Sequence, residues 1–104
     1  MARFEILFSE QANTDIQNLT DAIMYEFQAP LTAFKYVQGL LNEIKKLKTI
    51  ADFLPVQKSN YFLQFGFNVK RLKYKKMTVI YTVIGNAVYI IRVVPSSTIT
   101  TYTS

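Results

Sequence analysis

Five cations crowd into seven positions of this chain: Lys70, Arg71, Lys73, Lys75 and Lys76. Ammonium and guanidinium groups at that density attract polyanions or an acidic protein partner. Residues 53–104 hold seven basic residues and no acid, whereas residues 1–52 hold seven acids against five bases. The net charge of +5 is therefore polarised along the chain. Lys70, Arg71, Lys73, Lys75 and Lys76, with Arg92 further on, are the candidate residues for binding nucleic acid or a protein target. The alternative for the run is a solvated edge strand and turn, where lysines discourage edge-to-edge pairing.

Catalytic candidates are absent from the same reading. There is no histidine, which removes the commonest general base and metal ligand, and no cysteine, which removes disulfides, thiolate zinc sites and thiol nucleophiles. A metal site is not expected, and no cofactor is implied. Glu10 with Asp15, and Asp15 with Asp21, read as solvated charges on a helix surface. Three glycines, Gly39, Gly66 and Gly85, make no phosphate-cradling loop. Tyr74, Tyr81 and Tyr89 are candidates for stacking on nucleotide bases, against the alternative of packing within strands.

These residues need a scaffold, and 104 residues supply one domain. Half the chain is hydrophobic, which is enough for a packed core. Arg3–Phe8 alternates, with Phe4, Ile6 and Phe8 on one side, and reads as a half-buried strand. Ser9 offers an N-cap and Glu10 an acid in the first turn. Ala12, Ile16, Leu19, Ile23 and Phe27 then recur at helical spacing, giving a helix over 10–27. Pro30 opens a second helix over 31–49, with Ala33, Val37, Leu40, Leu41, Ile44 and Leu47 as its stripe and Lys45, Lys46 and Lys48 at its end. The short link makes the two helices an antiparallel hairpin, and Gly39 allows their close approach.

Residues 51–68 carry Phe53, Leu54, Tyr61, Phe62, Phe65 and Phe67 with no clear period. They read either as a loop tucked over the core or as an apolar docking surface. Val69–Tyr74 is a strand with Leu72 inward and Arg71 and Lys73 outward, followed by a turn at Lys75-Lys76. Met77–Ile84 and Ala87–Val94 form a hairpin about Gly85-Asn86, whose residues suit a tight primed turn, and Pro95 stops the last strand. Met77–Ile91 is free of charge but shorter than a membrane span of about 20 residues, and a turn interrupts it. No membrane segment is expected. The order β-α-α-β-β-β predicts an α+β fold: a mainly antiparallel sheet with a two-helix hairpin on one face. The domain is expected over residues 1–97, with a Ser/Thr-rich tail at 98–104 free to be disordered.

Several strings in this order resemble the RelE/ParE family of bacterial toxins. Phe4–Ala12 (FEILFSEQA) is similar to the family's first strand leading into S-x-x-A. Ala29–Leu47 is similar to its second helix, and Lys70–Leu72 to its R-x-L strand. Met77–Tyr81 with Ile84–Val93 (IGNAVYIIRV) resembles its final hairpin, the most specific of these pieces. The resemblance covers residues 3–97. It implies a cytoplasmic, basic toxin of a type II toxin–antitoxin system, inhibited by a cognate acidic antitoxin. Its target would be DNA gyrase for a ParE-like member, or mRNA on the ribosome for a RelE-like one. Ribonuclease members commonly carry an arginine where this chain has Thr78, and a short run with His, Lys or Arg where it has Pro95-Ser96-Ser97. Those departures lead to a ParE-like or catalytically degenerate toxin with no catalytic residue assigned. Two readings stay open beside it: a RelE-like ribosome-dependent mRNA endonuclease, and a non-catalytic module that binds nucleic acid or an acidic peptide.

Overall fold

The computed structural model of the protein describes residues 3–99. In chain order the main elements are β1 (Glu5–Phe8), α1 (Glu10–Phe27), α2 (Pro30–Lys45), α3 (Leu47–Ile50), α4 (Asn60–Leu63), β2 (Val69–Tyr74), β3 (Met77–Ile84) and β4 (Ala87–Pro95). Short 3-10 turns follow α3 at Ala51–Phe53 and β4 at Ser96–Thr98. The four strands form one sheet in the order β1-β4-β3-β2. The hairpins β2–β3 and β3–β4 are antiparallel, and β1 joins β4 in parallel, with Ile6 opposite Val88 and Phe8 opposite Ile90. The α+β fold and the mainly antiparallel sheet agree with the sequence reading.

Local chemistry explains why α1 starts where it does. Ser9 Oγ accepts the Ala12 N–H at 2.9 Å, an N-cap bond. The same hydroxyl donates to the Ile91 carbonyl at 2.7 Å, so the cap also ties the helix to β4. At the other end Gln28 takes a left-handed conformation with φ of 49°. Two residues later, after Ala29, Pro30 begins α2.

The second helix ends earlier than its apolar stripe suggests. A single helix over 31–49 is expected; α2 stops at Lys45 and α3 starts at Leu47. The Lys46 N–H turns back to Glu43 O at 3.1 Å, tightening the last turn. The redirected chain buries Leu47 and Ala51 completely. Gly39 also serves a different neighbour from the one expected. A Cβ there would collide with the hydroxyl of Tyr74 on β2, so the glycine admits the sheet rather than α1.

The segment 51–68 is tucked over the core only in part. Phe62 is buried, and Tyr61 and Phe65 meet it edge-on or nearby, while Phe53 and Phe67 stand more than four-fifths exposed. Val56 bridges to Lys70 and the Gln57 N–H donates to Val69 O at 2.9 Å, which covers one end of the β2 edge.

Two cores result, one on each face of the sheet. The larger includes Ala12, Leu40, Ile44, Leu47, Val79, Tyr81, Val88 and Ile90, where helices meet sheet. The smaller contains Phe62, Val69, Ile80, Val94 and Ile99. Ile99 is therefore packed, and of the tail expected over 98–104, residues 100–104 lie outside the described residues. A register shift between Ile80 and Tyr81 leaves Ile91 as an extra residue in β4. It changes the inward positions from Val88 and Ile90 to Val93, a reversal that strict alternation does not foresee.

Candidate functional site

The alternation of β2 splits the basic run. Arg71 and Lys73 project on the face that carries Val69 and the smaller core, whereas Lys70 lies on the face of Leu72. Lys70 Nζ donates to the carbonyls of Asp52, at 3.1 Å, and Ala51, at 3.4 Å. It holds the 51–53 turn against the strand. Lys75, at the β2–β3 turn with φ of 51°, carries its ammonium 5.4 Å from the ring centres of both Tyr36 and Tyr74. Burial raises the Tyr36 phenol above its ordinary pKa, as desolvation disfavours its anion. Lys76 is exposed beside it.

Arg92 sits apart from the lysines. Its Nε donates to Asp15 Oδ2 at 2.7 Å and its Nη2 to Oδ1 at 3.0 Å, a two-point pair. That hydrogen bond holds the guanidinium above its ordinary pKa. Asp15 also accepts the Val93 N–H at 2.9 Å. The Asp15 side chain is 8% exposed, so the solvated helix carboxylate expected there is instead buried between α1 and β4. The tyrosines are likewise committed. Tyr81 is fully buried and donates to Ala51 O at 2.9 Å, and Tyr74 packs edge-on against Tyr36. Tyr89 keeps an exposed ring.

Arg71 and Lys73 converge on residues that no motif singled out as ligands. Cross-strand register places Lys73 opposite Thr78, and Thr78 opposite Val94. Ser96 N–H then donates to Lys76 O at 2.8 Å, which brings the 96–98 turn back over β3. The outcome is a cavity of about 300 Å³ lined by Arg71, Lys73, Thr78, Ser96 and Ile99. Thr78, buried at 1% exposure, has its Oγ1 2.7 Å from Ser96 Oγ. The Arg71 guanidinium lies 5.7 Å from the centre of the Phe62 ring, which orients it toward this face. The signal for the pairing was present in the turn: with Lys75-Lys76 at its centre, Lys73 and Thr78 must face each other. Ser96 follows a proline and opens a 3-10 turn, where no periodicity applies.

Residues 6–99 match the family model described as the ParE toxin of the type II toxin–antitoxin system parDE. The chain belongs to the ParE toxin family. No curated protein sequence matches it. Among solved structures it is similar to a chain of the chromosomal ParDE toxin–antitoxin system from P. aeruginosa, with a TM-score of 0.75 and 19% sequence identity. That likeness covers 89% of this chain and 96% of the other, and at such identity it speaks for a shared fold. In this ParE-family chain no cluster of three or more His, Cys, Asp or Glu that could hold a metal occurs among the described residues. No helix there is long and apolar enough to cross a membrane.

Proposed function

We propose that this ParE-family chain is the toxin of a toxin–antitoxin pair, that it poisons DNA gyrase rather than cutting mRNA, and that an acidic antitoxin silences it. One observation carries the choice between the two targets. Cleavage of RNA by its own 2′-hydroxyl needs groups that move protons near neutrality and cations on the scissile phosphate. At the positions where ribonuclease relatives place such groups, the chain has Thr78 and Pro95–Ser97. Their hydroxyls, Thr78 Oγ1 and Ser96 Oγ, are engaged with one another. Neither ionises near pH 7, and no histidine is available anywhere in the chain.

The antitoxin reading draws support from charge. Residues 53–104 carry seven bases and no acid, and Arg71, Lys73 and Lys76 stand exposed. An acidic segment laid across β2 and its turn would meet complementary potential. Induced expression in bacteria lacking the antitoxin tests the whole reading, with growth, primer extension on cellular mRNAs and plasmid supercoiling followed in one culture. Arrested growth with intact mRNAs and accumulated gyrase–DNA cleavage complexes is the expected result. Codon-phased cuts would make the chain a ribosome-dependent endonuclease. Unimpeded growth would leave a degenerate toxin or a binding module.

A further inference from the structure

The α1–α2 hairpin buries Ala12, Ala33, Leu40 and Ile44 on its inner side, yet keeps large apolar side chains open on its outer side near the link. We propose that this outer face is a self-association surface, on which a second copy of the chain packs its own α1 and α2 about a two-fold axis.

Position is the first argument. Met24 and Phe27 lie one turn apart on α1, and Leu31 and Phe34 one turn apart on α2, so each pair shares a helix face. Only Gln28 and Ala29 separate the helices, so the two pairs sit together at the closed end of the hairpin. Phe27, Leu31 and Phe34 are three-fifths or more exposed and Met24 two-fifths, with Tyr25 at 86% beside them. Area is the second. An aromatic side chain carries about 150–250 Å², so the three rings alone leave roughly 400 Å² open. Leu31 and Met24 take the patch to the upper end of what a monomer usually shows, about 300–600 Å². A stable interface needs about 800 Å² per partner. The apolar patch supplies more than half of that, and the polar residues around it supply a rim.

Charge selects the occupant. α1 carries Glu10, Asp15, Asp21 and Glu26 and no base, whereas α2 carries Lys35 and Lys45 against Glu43. An acidic partner laid over both helices is repelled by the first, and a basic partner by the second. A copy of the hairpin turned about a two-fold axis along its length sets its α2 on this α1 and its α1 on this α2, so opposite signs meet twice. Asp21 and Lys35 mark the contact. Each is exposed, and each lies one turn from a patch residue, Met24 and Leu31 respectively. Neither belongs to the ion pairs among the described residues, Lys46–Glu43 and Arg92–Asp15. The same patch serves on both copies, so the association closes at two rather than growing into a fibre.

Sedimentation equilibrium of the full chain, purified free of other proteins and loaded over a range of concentrations, tests this surface. A monomer–dimer equilibrium is expected, with no larger species. Phe34→Glu should weaken the dimer about tenfold or more, since it places a carboxylate in the apolar centre. Asp21→Lys and Lys35→Asp should each weaken it about tenfold, as like charges then face one another in two places. An equimolar mixture of those two variants should recover the original affinity, because in the mixed dimer every lysine again faces an aspartate. All three side chains are exposed, so the fold persists, and circular dichroism of each variant checks that. A mixture no tighter than either variant alone would overturn the proposal. So would a dimer indifferent to Phe34→Glu, or open-ended assemblies. A chain monomeric at every concentration would do the same and give the face to a different protein. Growth arrest by such a monomeric chain would leave the toxin reading intact and sink this one alone.

Discussion

Asp15 and Arg92 stand 77 residues apart in the chain and form a two-point ion pair across the junction of α1 and β4. The parallel partner of β4 ends at Phe8, opposite Ile90, so the rest of that β4 edge has no strand beside it. Asp15 accepts the Val93 N–H there and does for one residue what a fifth strand would do. A carboxylate that also holds a guanidinium is fixed in the orientation this requires.

Asp15→Ala should therefore cost about 2–3 kcal/mol, below the 3–5 of a fully buried pair because Arg92 is one-third exposed. Arg92→Met in the same background should recover part of that loss, as the unpaired guanidinium is removed with it. Urea unfolding of the two single variants and the double variant checks the coupling. Strictly additive losses would count against it.

Gly39→Ala is a second test, since local and tertiary terms oppose. Helix propensity alone favours alanine by up to about 1 kcal/mol. The Tyr74 hydroxyl occupies the space of the new methyl, and overpacking of this kind costs about 1–3 kcal/mol. A net loss is expected, and Tyr74→Phe should relieve most of it. A stabilised Gly39→Ala variant would show that Tyr74 moves aside freely.

Alkaline pH should report on Tyr81. Burial pushes its phenol well above the ordinary tyrosine value, with the Asp52 charge a smaller contribution. Below about pH 10 both folded and unfolded chains keep the proton, so the group adds no pH dependence. Above it the unfolded chain ionises first, and stability falls as pH rises. Tyr81→Phe should lose about 1 kcal/mol at pH 8, from the bond to the Ala51 carbonyl. It should also show a shallower decline in unfolding midpoint between about pH 10 and 11. Parallel declines would place the alkaline transition elsewhere.

Replacement of Lys73, Lys75 and Lys76 by Glu should slow association with an acidic antitoxin, by about tenfold or more at low salt and by much less at high salt. Stopped-flow association rates measure this. An unchanged rate at low salt would move the antitoxin away from β2 and its turn.

Much of this architecture was readable in residue types alone. Ser9 as cap, Pro30 as helix start, Gly85-Asn86 as hairpin turn and the inward Leu72 are local rules that tertiary packing left undisturbed. Four features escaped. The end of α2 depends on where Leu47 and Ala51 find burial, which propensity does not encode. The extra residue at Ile91 breaks strand alternation without a glycine to announce it. Asp15 looked solvated because its partners lie at the far end of the chain. The basic run looked like one patch because sequence adjacency hides that neighbouring strand residues face opposite ways, with Lys70 turned to the carbonyls of Ala51 and Asp52.

The parallel union of β1 with β4 sets an order of events during synthesis. Residues 5–8 leave the ribosome first, yet their hydrogen-bond partners at 87–90 are among the last described residues to emerge. Until then the strand, the Ser9 hydroxyl and the Asp15 carboxylate have nothing to join on that side, while α1 and α2 can already pair. Contacts so distant in sequence form slowly. A nascent chain should stay sensitive to protease at its N-terminal strand until β4 has cleared the exit tunnel, which leaves an interval in which a partner could meet this toxin before its sheet is complete.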